Sequence, residues 1–78
     1  MTYDELRLSL LEGSVYLGTT SSNQTVIVGP FFLNDGVIGY RVTCDRAAVT
    51  EGLASDAARF FLGLVQGEPK LIGTVKPA

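Results

Sequence analysis

The sequence predicts an α+β domain: a small two-layer sandwich whose antiparallel sheet of about four strands carries two helices on one face. Three observations predict it. A capping-box tetrad opens the chain, β-branched segments joined by short turns fill its middle, and a broad apolar stripe at helical spacing precedes a last strand-like run. The expected order is α-β-β-β-α-β. Consecutive strands joined by short turns pair antiparallel, and helices then cover one face of the sheet.

The first element rests on Thr2-Tyr3-Asp4-Glu5. The Thr2 hydroxyl is placed to accept from the amide of Glu5, while the Glu5 carboxylate reaches back to the amide of Thr2. The helix then runs to about Glu12 and stops at Gly13, a residue suited to the left-handed position after a helix. Tyr3, Leu6 and Leu10 share one stripe with Leu11 beside it; Leu8 falls further round, and Arg7 lies inside the apolar arc. A strand is the competing reading, since Leu6, Leu8 and Leu10 alternate with Arg7 and Ser9. The cap and the leucines favour the helix.

Ser14–Gly18 is a short strand candidate, followed by the polar loop from Thr19 to Gln24. Thr25–Val28 resumes strand chemistry, and Gly29-Pro30 marks a bulge or an edge because proline cannot donate to a ladder. Asn34-Asp35-Gly36 is the clearest hairpin signal, with Val37–Cys44 as the return strand. Ile38, Tyr40, Val42 and Cys44 share one face of that strand; Val37, Gly39, Arg41 and Thr43 share the other. A second helix is expected to begin between Ala47 and Ser55 and to end at Gly67, with Pro69 beyond. Ala54, Ala57, Ala58, Phe61, Leu64 and Val65 form its stripe. Leu53, Phe60 and Leu62 widen the apolar arc to about 200°. Lys70–Lys76 reads as the final strand. Residues 1–78 hold no internal repeat and no linker, so one domain is expected.

Composition excludes more functions than it indicates. Of the 78 residues, 46% are hydrophobic and 18% charged, a balance that rules out disorder. It also leaves more apolar side chain than so short a chain hides easily, because a domain near this size buries only about 60% of its unfolded surface. The net charge is −2, and the six lysines and arginines are scattered. Nucleic-acid binders show a clustered basic footprint, so that class is not expected. The longest apolar runs are too short to span a bilayer, and the first residues lack the pattern of a secretory signal. A cytoplasmic location is expected on that basis.

No catalytic, metal or cofactor site is expected. There is no histidine, and Cys44 is single, which removes the disulfide, four-ligand zinc and cysteine–base readings. A lone cysteine on an apolar strand face is a small buried hydrophobe. Ser14 and the other serines lack a base in a recognisable arrangement, and Asp4 with Glu5 serve a helix start. Gly18-Thr19-Thr20 lacks the lysine and the following helix of a phosphate loop.

What remains is surface. Arg7 amid leucines is a snorkelling side chain, an intramolecular ion-pair partner or a contact residue. Phe60 and Leu62 flank the second helix's main stripe on opposite sides, so one sheet face cannot bury both, and Arg59 supplies a rim charge beside Phe60. Arg7, Leu8, Arg59, Phe60 and Leu62 are therefore the expected protein-binding residues. The expected function is a non-enzymatic protein-binding module that occupies a partner protein's surface, as a homodimer or in a hetero-complex. In size, mild acidity and apolarity the chain is similar to stoichiometric inhibitors and adaptors, including phage-encoded counter-defence proteins such as anti-CRISPR inhibitors. That likeness is one of profile and rests on no motif. The alternatives are a structural homo-oligomeric subunit, for example of a phage particle, and a small-molecule binder whose pocket Tyr16, Tyr40 and Arg41 would line.

Overall fold

The computed structural model describes residues 1–32 and 38–75. Its elements run α1 (Tyr3–Leu11), β1 (Ser14–Thr19), β2 (Thr25–Phe32), β3 (Ile38–Cys44), β4 (Ala47–Gly52), α2 (Ala54–Leu64) and β5 (Gln66–Thr74). The five strands form one sheet in the order β4-β3-β2-β1-β5, every neighbour antiparallel. The helices pack on each other and on the same face of the sheet: α1 lies over β1 and β2, and α2 over β2, β3 and β4. The two-layer α+β architecture is thus the predicted one, with one strand more than expected.

Helix α1 begins as its sequence dictates. The Glu5 amide donates to Thr2 Oγ1 at 3.2 Å, and the Thr2 amide donates to Glu5 Oε1 at 2.9 Å, completing the capping box. At the other end Gly13 adopts φ 97, and a Cβ there would lie 2.1 Å from the carbonyl oxygen of Val75. The Val75 amide in turn donates to the Gly13 carbonyl at 2.7 Å, so the end of α1 is clamped to the chain leaving β5. Only glycine meets both the left-handed backbone and the close approach.

The extra strand occupies Ala47–Gly52, within the interval where the second helix was expected to begin, and the helix starts at Ala54, inside that interval. Asp45 and Arg46 both take positive φ, 48 and 73, the two-residue geometry that matches the twist of an antiparallel pair. The turn is held by the Asp45 amide on the Thr25 carbonyl and by the Thr25 amide on Asp45 Oδ1. Ala47–Gly52 therefore returns along β3, with one register shift opposite Val42 and Thr43, and α2 starts at Ala54. Helix α2 also ends earlier than Gly67. Val65 is extended, and Gly67, at φ 76, lies inside β5 rather than capping the helix. β5 takes in Pro69 because it is an edge strand, where a missing N–H costs no ladder bond on the open side. Pro30 sits in an uninterrupted β2, beyond the last β1 pair at Tyr16 and Val28. The Asn34-Asp35-Gly36 turn lies outside the described residues, as do Leu33 and Val37.

The core lies between the layers. Phe61 is its largest fully buried side chain, packed with Leu6 and Leu10 of α1 and with Val26, Val28 and Val42 of the sheet. Ala54, Ala57 and Ala58 keep the buried face of α2 shallow, which brings the helix close to the strands. Gly18 allows the chain to cross from α2 into β5: a Cβ there would lie 2.6 Å from a Val65 methyl. Ser14 and Tyr16, turned to the same side, are joined through the Ser9 hydroxyl at 2.7 and 2.9 Å, so these two inward hydroxyls are satisfied by α1.

Removing the cap should destabilise the fold measurably. Thr2→Ala is expected to lower unfolding free energy by about 1 kcal/mol in urea denaturation. The amide of Thr2 holds the Glu5 carboxylate below the usual carboxylate range, so its contribution is present above the ordinary glutamate value of about 4.3. That contribution is lost as pH falls through the lowered folded value. Glu5→Gln should flatten this part of the stability–pH curve, and an unchanged curve would contradict the capping box.

Candidate interaction surface

Helices cover one face of the sheet, and none of the described residues covers the other. A solvated antiparallel face normally turns polar side chains outward. Here the alternation places Val15 and Leu17 of β1, Ile27 and Phe31 of β2, and Arg41 and Thr43 of β3 on the uncovered side, all half-buried. The register assembles them into one surface, pairing Leu17 with Ile27, Ile27 with Thr43, Phe31 with Gly39, and Arg41 with Glu51.

Two glycines shape this face. A Cβ at Gly29 would lie 2.9 Å from a Val15 methyl, and one at Gly39 would lie 2.8 Å from the Phe31 ring. Val15 and Phe31 thus lie down across neighbouring strands instead of standing up from them. The Arg41 guanidinium carbon sits 4.2 Å from the centroid of the Phe31 ring, within cation–π range. Its Nε is 3.3 Å from Glu51 Oε1, close enough for charge attraction, yet it is buried without an aligned hydrogen bond. The Arg41 guanidinium thus lies within an apolar surface with its Nε donor unpartnered. Two open hollows border it, about 150 Å³ beside Val15, Phe31 and Arg41, and about 490 Å³ beside Ile27, Thr43 and Arg46.

The residues expected from sequence to bind a partner lie on the other side, over the helices, and do not form one patch. Arg7 reaches Asp4 of its own helix at 3.9 Å, and it borders a hollow shared with Leu11 and Leu53. The Arg59 guanidinium lies 5.3 Å from the Tyr3 ring centroid, which places it on the α1 side of α2. Leu62, on the same side by helical spacing, is half-buried against the core. Leu8 points away from the core at 51% exposure. Phe60, 43% exposed, lies on the flank of α2 turned away from α1.

Tyr16 and Tyr40 face the helical layer and are buried, while Arg41 is on the opposite side of the sheet, so the three line no common pocket. The hollow beside Leu10, Glu12, Pro30 and Tyr40 holds about 90 Å³, below the ~300–1,000 Å³ of small-molecule sites, whereas the hollow of about 490 Å³ beside Ile27, Thr43 and Arg46 falls within that range. Cys44 packs against the core from the covered face. Among the described residues, no three histidine, cysteine or carboxylate side chains converge as metal ligands. No helix among the described residues is long and apolar enough to cross a membrane. No family model, no curated protein and no solved structure matches this chain.

Strand alternation marks which side of each strand is buried and does not report whether anything covers the other side. The signal was present: in β1 and β2 both alternation classes are apolar, which a sheet covered on one face does not need. An exposed cation–π pair such as Arg41 with Phe31 contributes only about 0.5–1 kcal/mol. Arg41→Gln should lower unfolding free energy by less than about 1 kcal/mol. A substantially greater loss in thermal or urea denaturation would make Arg41 a structural residue.

Proposed function

We propose that the protein is a non-enzymatic protein-binding module that occupies a partner protein's surface through the open face of its sheet, as an inhibitor or adaptor does. One observation carries the reading. Val15, Leu17, Ile27 and Phe31 form an apolar field on a face that none of the described residues covers, and Arg41 stands in it with its buried Nε unpartnered. An apolar centre with an embedded arginine and a polar margin is the composition of interface hot spots, where aromatic and arginine side chains dominate. Thr43, Glu51 and Lys70 supply the margin. A broad, shallow surface suits a folded protein better than a small ligand, which takes an enclosed cleft.

The test is capture of a partner from the native host by immobilised protein, with two variants beside the wild type. Ile27→Glu places a charge in the apolar field and should abolish saturable capture while leaving the melting transition cooperative. Leu8→Glu alters the helical side and should capture as the wild type does. Equal capture by the Ile27 variant would remove the open face from the function.

A further inference from the structure

The two edges of the sheet are built differently. β5 carries Pro69, which offers no N–H, Lys70, the left-handed Gly67 and two register shifts against β1. Each of these blunts an edge against pairing with another chain. β4 has no proline and no lysine among its six residues and a single register shift. Its one charge, Glu51, is drawn onto the open face by Arg41. As an end strand it pairs, among the described residues, only with β3, so its outer row of N–H and C=O groups has no strand partner there.

The layer above this edge is apolar as well. α2 lies over β3 and β4 while α1 lies over β1 and β2, so the flank of α2 turned away from α1 faces the β4 edge. That flank carries Phe60, 43% exposed, and β4 itself carries Val49, 46% exposed. A bare strand edge and an apolar helix flank are therefore stacked along one side of the molecule.

We propose that this side is a two-fold contact with a second copy of the chain, β4 pairing antiparallel with β4 and α2 meeting α2 through Phe60. A two-fold axis perpendicular to the sheet keeps both helical layers on one side, so the surface meets itself in both layers at once. An added peptide strand would satisfy the edge and leave Phe60 uncovered. Charge favours the same arrangement. Arg46 stands at the head of β4 and Glu51 near its tail, so antiparallel pairing centred on Val49 brings each head to the other copy's tail. It also keeps the two Glu51 side chains from meeting. Area sets the strength: six residues span about 20 Å and two layers about 20 Å, a footprint of about 400 Å² per copy. The total of about 800 Å² falls short of the ~1,200–2,000 Å² of stable complexes, so the dimer dissociates on dilution. The contact shares Glu51 with the margin of the open sheet face and leaves the apolar field of Val15, Leu17, Ile27 and Phe31 free.

Sedimentation equilibrium across micromolar to millimolar concentrations tests this, with Val49→Lys and Phe60→Glu beside the wild type. The wild type should pass from monomer to dimer over this range, and each variant should weaken association at least about tenfold, or 1.4 kcal/mol. Thermal melts at low concentration establish that the variants remain folded. Amide hydrogen exchange of the wild type supplies a readout that needs no substitution: protection in β4 should rise with concentration while that in β5 stays constant. A wild type monomeric at millimolar concentration overturns the proposal. So does a dimer that folded Val49→Lys and Phe60→Glu leave intact, or exchange protection that rises in β5 instead of β4.

Discussion

Two helices of nine and eleven residues must cover five strands, and they reach only one face of the sheet. Most of the structure follows from how that face is covered. Ala54, Ala57 and Ala58 let α2 settle close to the strands, and Phe61 then fills the space between them with Leu6 and Leu10. The helices do not float on the sheet. α1 is tied down at Gly13 through Val75, at Ser9 through Ser14 and Tyr16, and at the Met1 amino group by an ion pair with Glu68 of β5. In a chain this small the buried core has little in reserve, so closing the one covered face well matters more than adding contacts elsewhere.

Local chemistry written into neighbouring residues was legible in the sequence. The Thr2–Glu5 capping box, the left-handed Gly13 and the stripe from Ala54 to Phe61 each needed only short-range geometry, and each stands in the structure. Alternation along β3 placed Tyr40 and Val42 inward and Arg41 outward. Strand β4 was not legible because its turn uses Asp45 and Arg46, where the usual signal is asparagine or glycine. A left-handed arginine is an expense that only the tertiary pairing of β3 with β4 offsets. Ala47-Ala48, good helix formers, then disguise the return strand. The long β5 was hidden for a similar reason, since Pro69 argues against a strand unless it is known to lie at an edge.

The surface was harder to read than the core because exposure depends on what lies above a residue, which spacing along the chain does not report. Phe60 and Leu62 show this: both widen the apolar arc of α2, yet α1 lies along the side of Leu62 and leaves that of Phe60 open. The uncovered sheet face shows it more strongly. Val15 and Phe31 lie flat over Gly29 and Gly39, and Arg41 rests on Phe31, so the field is smooth and pre-arranged before any partner arrives. Side chains already held in place lose less freedom on binding, which is where a rigid surface gains affinity.

The central claim is that one face of the sheet is left to a partner while the other holds the fold together. Methyl NMR with a soluble paramagnetic agent measures this directly on the free protein, at a concentration where it is monomeric. The account predicts strong relaxation of the Val15, Leu17 and Ile27 methyls and little at Val26, Val28 and Val42, which alternate with them on the same strands or lie beside them. Equal protection of both sets would mean that the uncovered face is closed within the monomer, and would contradict the account.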